Sequence, residues 1–156
     1  MSSQRTLKVE FTDPQHRWLE IRVTAGPVGF SQQVSYTPYD SLLTLISGLA
    51  TLLPSRCGEC SARVTWNSEP VEFDFCFRRE GRGVTLKIYR FPDAKRSLGF
   101  ERLVLGSSGS FGQVCRPFWK ALQDLETRRA ANEFEVGWRR PFPSEAMRRL
   151  THAVKS

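Results

Sequence analysis

The fold is decided by residues 62–91, whose sequence is ARVTWNSEPVEFDFCFRREGRGVTLKIYRF. Apolar and polar residues alternate here with a period of two, which is typical of β-strands that bury one face. Turn-forming residues at 67–70 and 80–83 divide the stretch into three strands. The predicted apolar faces are Ala62, Val64 and Trp66, then Val71, Phe73, Phe75 and Phe77, then Val84, Leu86 and Ile88.

The turn at Gly81-Arg82 sets the register of the second hairpin. A two-residue turn pairs Phe77 with Leu86 and Phe75 with Ile88, and glycine in its first central position suits a type II′ turn. In this register the two apolar faces lie on the same side of the sheet. We expect the opposite face to be polar and exposed to solvent, and its candidate binding residues are Glu72, Asp74, Arg78, Lys87 and Tyr89.

Two earlier runs alternate in the same way. Residues 6–11 and 17–24 lie close together in the sequence and predict an antiparallel hairpin, and residues 30–36 predict a weaker third strand. A helix follows, with Thr37 as its predicted N-cap and Pro38 in its first position. Its apolar stripe ends before Pro54 and comprises Leu42, Leu45, Ile46, Leu49, Leu52 and Leu53.

The last third of the chain predicts two more strands and two helices. Residues 100–115 favour a pair of strands joined by a Gly-Ser turn at 106–109. Pro117 is tolerated only in the first turn of a helix, so the next helix is predicted over residues 115–129, beginning at the first or second of them. Ser144 is then predicted to cap a short last helix.

These segments together predict the α+β class. The sheet is expected to be mostly antiparallel, with about 6–8 strands. One helix is inserted after the third strand, and two C-terminal helices pack on the sheet. A chain of 156 residues without an internal repeat or linker is typical of one domain, so residues 1–156 are predicted to form a single unit.

The composition favours a soluble protein of the cytoplasm. Lys and Arg number 23 against 16 Asp and Glu, which gives a net charge of +7. The first residues lack the apolar run of a signal peptide, and the longest apolar stretch, 42–53, is too short to span a bilayer. We therefore expect no membrane association. A basic surface favours acidic partners, either nucleic acid or an acidic protein face.

Cys57 and Cys60 form the most motif-like pair of the chain. Two thiolates at this spacing bind zinc or form a redox pair in many proteins, and ordinary loop cysteines are the alternative. A structural zinc site needs four ligands, and Cys76 is the one further cysteine predicted near this loop. A thioredoxin-like motif would follow a strand and precede a helix, whereas the predicted order here is reversed. A small metal or redox protein centred on this pair is the third hypothesis for function.

Motifs for catalysis are missing from the sequence. The glycine-rich segment 106–112 fits neither the dinucleotide fingerprint nor the P-loop, because the spacing differs and the P-loop lysine is lacking. No G-x-S-x-G elbow is present, and the two histidines, His16 and His152, lie near opposite ends of the chain. The sequence therefore favours a protein that is not an enzyme and that carries no cofactor.

The segment Trp138-Arg139-Arg140-Pro141-Phe142 is basic, aromatic and predicted to be non-regular. Aromatic residues beside arginine anchor protein interfaces and also stack on unpaired bases. We therefore predict a contact surface at Trp138, Arg139, Arg140 and Phe142.

The predicted layout is similar to that of small bacterial proteins that neutralise toxins or dock on a partner through a polar sheet face. The sequence thus favours a non-catalytic, immunity-type or accessory protein whose protein partner presents an acidic face. The second hypothesis is a nucleic-acid-binding module that uses the arginine pairs and the exposed aromatic residues.

Overall fold

The computed structural model describes residues 6–54, 58–127 and 131–155. Seven strands and one helix come first: β1 (Lys8–Phe11), β2 (Trp18–Ala25), β3 (Val28–Ser35), α1 (Ser41–Thr51), β4 (Glu59–Asn67), β5 (Glu72–Glu80), β6 (Gly83–Phe91) and β7 (Arg102–Ser110). Four helices follow: α2 (Phe111–Val114), α3 (Arg116–Thr127), α4 (Ala131–Trp138) and α5 (Ser144–Lys155).

The strands form one antiparallel sheet in the order β1-β2-β3-β4-β5-β6-β7, so each strand pairs with its neighbour in the chain. The sheet is weakest between β3 and β4, which are joined through the pair Ser35 and Asn67. The predicted α+β class, the antiparallel sheet, the helix after the third strand and the C-terminal helices packed on the sheet are all confirmed.

The register predicted for the hairpin of β5 and β6 is also confirmed. Phe77 pairs with Leu86 and Phe75 with Ile88, and all four side chains are buried. Gly81 has a φ of +61°, as the first central position of a type II′ turn requires. Turn geometry and alternation therefore act together to place one face of this hairpin in the core.

The core lies between this inner face and the elements that fold over it. Phe30 of β3 meets Phe73 and Phe75 edge to face, with ring centroids 5.0 and 5.5 Å apart. Phe118 of α3 meets Phe77 in the same way at 5.3 Å. The buried leucine stripe of α1 and two side chains of α5, Met147 and Leu150, belong to the same cluster.

The helix start predicted at Thr37 and Pro38 is wrong. Helix α1 begins at Ser41, and its N-cap is Asp40, whose side chain makes no capping hydrogen bond within the described residues. The carbonyl of Thr37 accepts a hydrogen bond from the Asn67 amide, and the Ser41 hydroxyl donates to the carbonyl of Thr65. Bonds to β4, rather than local capping, therefore hold this connection outside the helix.

The predicted turn at 106–109 is wrong as well, because these residues belong to β7. They pair with residues 84–87 of β6 along the whole stretch. The chain turns later, at Ser110, whose hydroxyl and backbone form a capping box with Gln113. A Cβ on Gly109 would lie 2.6 Å from the Gln113 amide oxygen, so glycine leaves room for that cap.

The predicted strand at 110–115 is therefore helix α2. Helix α3 begins at Arg116, within the predicted start; it is described as far as Thr127, and the last predicted residues fall outside the described ranges. In the part of the chain that the structure describes, no helix combines the length and apolarity that a membrane crossing requires.

Candidate interaction surface

Glu72 and Asp74 are buried, which corrects the expectation that they lie on a solvated face. Their residues are 2% and 1% exposed, although both side chains point away from the core. The loop 92–101, which joins β6 to β7, folds over this end of the sheet and places Arg96 on top of them. Alternation predicted their face correctly but could not predict that a loop covers it.

Arg96 bonds both carboxylates at once. Its Nε and Nη2 donate to Glu72 Oε1 at 3.0 and 2.9 Å, and its Nη1 and Nη2 donate to Asp74 Oδ2 and Oδ1 at 2.8 Å each. The guanidinium also lies 4.0 Å from the centroid of the Phe91 ring. A planar fork that bonds two carboxylates and stacks on an aromatic ring has one orientation, so the loop is held in one place.

The remaining lone pairs of the carboxylates are satisfied from neighbouring elements. Tyr39 donates to Glu72 Oε2 at 2.7 Å, and Thr65 donates to Asp74 Oδ1 at 2.9 Å. These bonds have electrostatic consequences: the hydrogen bond to Asp74, followed by that to Glu72, raises the pKa of Arg96 above its usual range. The hydrogen bond to Glu72 raises the pKa of the Tyr39 phenol.

The loop that contains Arg96 and the start of β7 both expose apolar side chains to solvent. Leu98 is 96% exposed, Phe100 60% and Leu103, at the start of β7, 55%. We name these three side chains the 98–103 ridge. Single exposed apolar residues are ordinary, but three within six positions, on a segment anchored by buried ions, mark a surface that can bury more area on contact.

The charges beside the ridge are mainly positive. Lys95 and Arg102 are exposed, and Glu101, between Phe100 and Arg102 in the sequence, is an exposed acid. On the face of the sheet opposite to Leu103, Arg90 lies directly across from Arg102, and neither forms an ion pair with a described residue. Like charges at opposed positions of a sheet repel each other, so this pair favours an incoming anion.

The other predicted residues of the outward sheet face are divided by the structure. Arg78 is paired with Glu59 at 2.9 Å and with Glu80 at 2.5 Å, all at exposed positions. Lys87 is exposed, and Tyr89 is half-buried directly opposite Leu103. The predicted face therefore meets the ridge where Tyr89 lies opposite Leu103. Glu72 and Asp74 do not belong to the exposed surface, but they bind Arg96 and so hold the loop that carries Leu98 and Phe100.

Trp138, predicted as a contact residue, belongs to the core instead. It is 1% exposed and packs against Tyr36, with ring centroids 5.3 Å apart. The Arg140 guanidinium also stacks on the Tyr36 ring, 4.1 Å from its centroid, and pairs with Asp40 at 3.6 Å. A Cβ on Gly137 would lie 2.0 Å from a carbonyl oxygen of residue 14, which shows how closely α4 docks.

The rest of that segment is divided in the same way. Phe142 is half-buried against Phe134, with centroids 5.3 Å apart, whereas Arg139 is exposed. Arginine beside an aromatic ring predicts a contact surface, but here Arg140 packs its guanidinium on Tyr36 at the end of β3 and so helps to hold the end of α4 against the sheet. Arg139 stays a predicted binding residue, and the neighbouring aromatic residues serve packing.

The cysteines separate into two kinds. Cys60 is disulfide-bonded, so its sulfur is not a free thiolate ligand, and Cys57 lies outside the described residues. Cys76 and Cys115 are free. Within the described ranges, no three His, Cys, Asp or Glu side chains come together as a metal site.

Cys115 is expected to resist alkylation in the folded protein. It is fully buried between α2 and α3, and burial raises the pKa of its thiol to about 12. Because the thiolate is the reactive form, iodoacetamide at about pH 8 should modify Cys115 only after unfolding. Mass spectrometry of native and urea-treated protein measures this, and rapid modification of native Cys115 would contradict the packing of α2 on α3.

No family model, curated protein or solved structure matches this chain. The candidate surface therefore depends on geometry alone. Reasoning from the sequence missed Arg96 and all three residues of the ridge. A usable signal was present at Leu98, an apolar residue in a segment between two predicted strands that shows no periodic apolar pattern.

Proposed function

We propose that this chain is a non-catalytic protein-interaction domain of the immunity or accessory type, which binds an acidic face of its partner through the 98–103 ridge. The observation that carries the proposal is the combination of a buried ionic anchor with exposed apolar side chains on the same loop and at the start of the strand that follows it. The anchor is Arg96 on Glu72 and Asp74, and the side chains are those of the ridge.

The anchor supports binding because it reduces the entropy that binding must overcome. A free loop loses conformational freedom when a partner orders it, whereas the 92–101 loop is already fixed by four charge-assisted hydrogen bonds. Burying two carboxylates and a guanidinium is costly in desolvation, and the gain is a defined position rather than stability. A loop fixed in this way suits recognition of a partner through Leu98 and Phe100.

The charge distribution supports an acidic protein partner over nucleic acid. Several arginines that could contact phosphates are already paired with carboxylates: Arg22 with Glu20, Arg78 with Glu59 and Glu80, and Arg148 and Arg149 with the single carboxylate of Glu145. Among the cations that form no ion pair with a described residue, Lys95 lies in the 92–101 loop and Arg102 is adjacent to Leu103 in the sequence. Apolar residues with a cationic rim are typical of protein interfaces.

The test is an affinity measurement on a purified pair. A partner captured from the native host is first identified and purified, and calorimetry then compares the native protein with Leu98→Ser and Phe100→Ser. Each substitution removes an apolar contact and should weaken binding about tenfold to a hundredfold. Val136→Ser is the matched control, because Val136 is also largely exposed but lies on α4, and it should change affinity less than about twofold.

Equal affinities for the ridge variants and the native protein would refute the proposed surface. A mobility shift with single-stranded or duplex nucleic acid that weakens steeply with salt would favour the second hypothesis instead. Because Leu98 and Phe100 are exposed, neither substitution should alter the thermal midpoint, which circular dichroism can verify.

A further inference from the structure

The open edge of β7 indicates how the partner binds. We infer that an extended segment of the partner adds to this edge as an eighth strand, and that its residues alternate between acidic and apolar. This inference rests on the proposed function, which it deepens by naming the mode of recognition. Strand addition supplies main-chain hydrogen bonds for affinity, and the alternating side chains then supply specificity.

The outer edge of β7 has no paired strand among the described residues, because β7 is last in the sheet and pairs with β6 alone, while β2 and β3 also approach β7. The two-residue turn closes with Glu80 opposite Gly83, which is a hydrogen-bonded pair in such hairpins. Gly83 and every second residue after it therefore bond to β5, whereas the residues between them, Val84, Leu86 and Ile88, direct their backbone bonds towards β7. Their partners there are Leu105, Ser107 and Gly109.

Gly106 and Ser108 alternate with those partners, so their N–H and C=O groups point away from the sheet. Both residues are exposed, and for a glycine the exposed surface is backbone. A Cβ on Gly106 would meet no atom of the described chain within 4 Å. The outward face of the sheet is therefore uncovered at Gly106, where the backbone itself is exposed.

The edge also lacks the usual protection against pairing. Natural edge strands are blocked by charged side chains, proline or coverage by another element. Residues 105–110 are Leu-Gly-Ser-Ser-Gly-Ser, without a charge or a proline. The irregularity in this ladder, between Ile88 and Tyr89, lies nearer the start of β7 and leaves the glycine-serine part straight.

The side chains at the start of β7 indicate which positions of the added strand should be acidic and which should be apolar. Leu103 lies opposite Tyr89 on the outward face, which is the side of the ridge, whereas Arg102 lies opposite Arg90 on the other face. Successive residues of an added strand point alternately to the two faces. One set therefore includes the residue beside Leu103, and the set between includes the residue beside Arg102, where an acidic side chain is favoured.

The same charges argue against a second copy of this chain on the edge. The chain has a net charge of +7, and two copies joined through β7 would bring their unpaired Arg90 and Arg102 groups onto one sheet. Like charges across an interface disfavour association. An acidic segment of a different protein neutralises these groups and is the better occupant.

The test uses synthetic peptides of about eight residues, the length of a typical strand. A peptide alternating Glu and Val should bind at least about tenfold more tightly than one alternating Lys and Val, and than a Glu-Val peptide of the same composition in two blocks. Nuclear magnetic resonance should show the amides of Gly106 and Ser108 shifting on titration and becoming protected from exchange.

Ser108→Pro removes an outward N–H and should weaken binding of the Glu-Val peptide at least about tenfold. The variant should still fold, because proline is tolerated on the open side of an edge strand. Ser108→Ala is the matched control and should leave affinity within about twofold. A Glu-Val peptide methylated on alternate backbone nitrogens tests the same bonds on the native protein, so the result does not depend on the folding of the proline variant.

The outcomes separate this inference from the proposed function. If Leu98→Ser weakens binding of the purified partner but Ser108→Pro does not, the inferred strand addition is wrong and the ridge remains the binding surface. If neither substitution matters, both proposals fail. Equal binding of all peptides, or a dimer in sedimentation experiments that Ser108→Pro abolishes, would also overturn the inference, the latter because a second copy would then occupy the edge.

Discussion

Replacing Phe75 with alanine is expected to lower the free energy of unfolding by about 3–5 kcal/mol. Phe75 is fully buried at the centre of β5 and contacts rings from three other elements: Phe30 at 5.5 Å, Trp66 at 6.0 Å and Phe118 at 6.1 Å between centroids. Neighbours anchored in β3, β4 and α3 cannot all move inward, so the substitution leaves a cavity and loses the aromatic contacts.

Equilibrium unfolding in urea measures this effect. Phe100→Ala is the matched control, because it removes the same side chain from a position that is 60% exposed, and it should cost less than about 0.5 kcal/mol. A cost below about 1 kcal/mol for Phe75→Ala would mean that this face of β5 does not carry the core. The strand register derived from the Gly81 turn would then be incorrect.

The hairpin of β5 and β6 could be predicted from the sequence because two independent local signals agree on it. The alternation of Phe73, Phe75 and Phe77 sets one face, and the two-residue turn at Gly81 sets the pairing. The leucine stripe of α1 was equally clear, since helical spacing over three turns is a strong pattern.

Predictions failed where a local signal competed with a tertiary one. Glycine and serine at 106–109 favour a turn by themselves, but pairing with β6 extends them into a strand. Thr37 is a good N-cap by type, but its carbonyl is bound to Asn67. Both outcomes depend on a neighbour that is remote in sequence, and no local rule contains it.

The candidate surface was the hardest part to predict, for a related reason. Glu72 and Asp74 were identified as candidate residues, yet their role depends on Arg96, which lies more than twenty positions away in a loop without a periodic pattern. The sequence shows which side chains point away from the core, but not which loop returns to cover them. Two residues of the ridge lie on that loop, so the ridge can be recognised only in the folded chain.

Replacing Arg96 with methionine is expected to lower the free energy of unfolding by about 3 kcal/mol, because two carboxylates would then be buried without their cation. Glu72 and Asp74 are almost completely buried, whereas the side chain of Arg96 is 27% exposed. Water can therefore partly replace the guanidinium, which places the expected cost at the lower end of the range for broken buried pairs. Urea unfolding measures it.

The control and the rescue make this prediction specific. Arg78→Met removes an arginine that also contacts two carboxylates, but at exposed positions, and should cost less than about 1 kcal/mol. Combining Arg96→Met with Glu72→Gln and Asp74→Asn removes the unpaired charges and should recover at least about half of the loss. An equal cost for Arg96→Met and Arg78→Met would contradict the buried anchor.

The same variant connects the anchor to binding. Arg96 is the loop residue that contacts the sheet, so Arg96→Met leaves Leu98 and Phe100 unchanged while releasing the segment that carries them. If the loop is fixed in advance for its partner, the released loop must be ordered on binding, and affinity should fall about tenfold under conditions where the variant is fully folded. An unchanged affinity in a folded Arg96→Met variant would show that the anchor serves stability alone, and that the ridge does not need a fixed loop to bind.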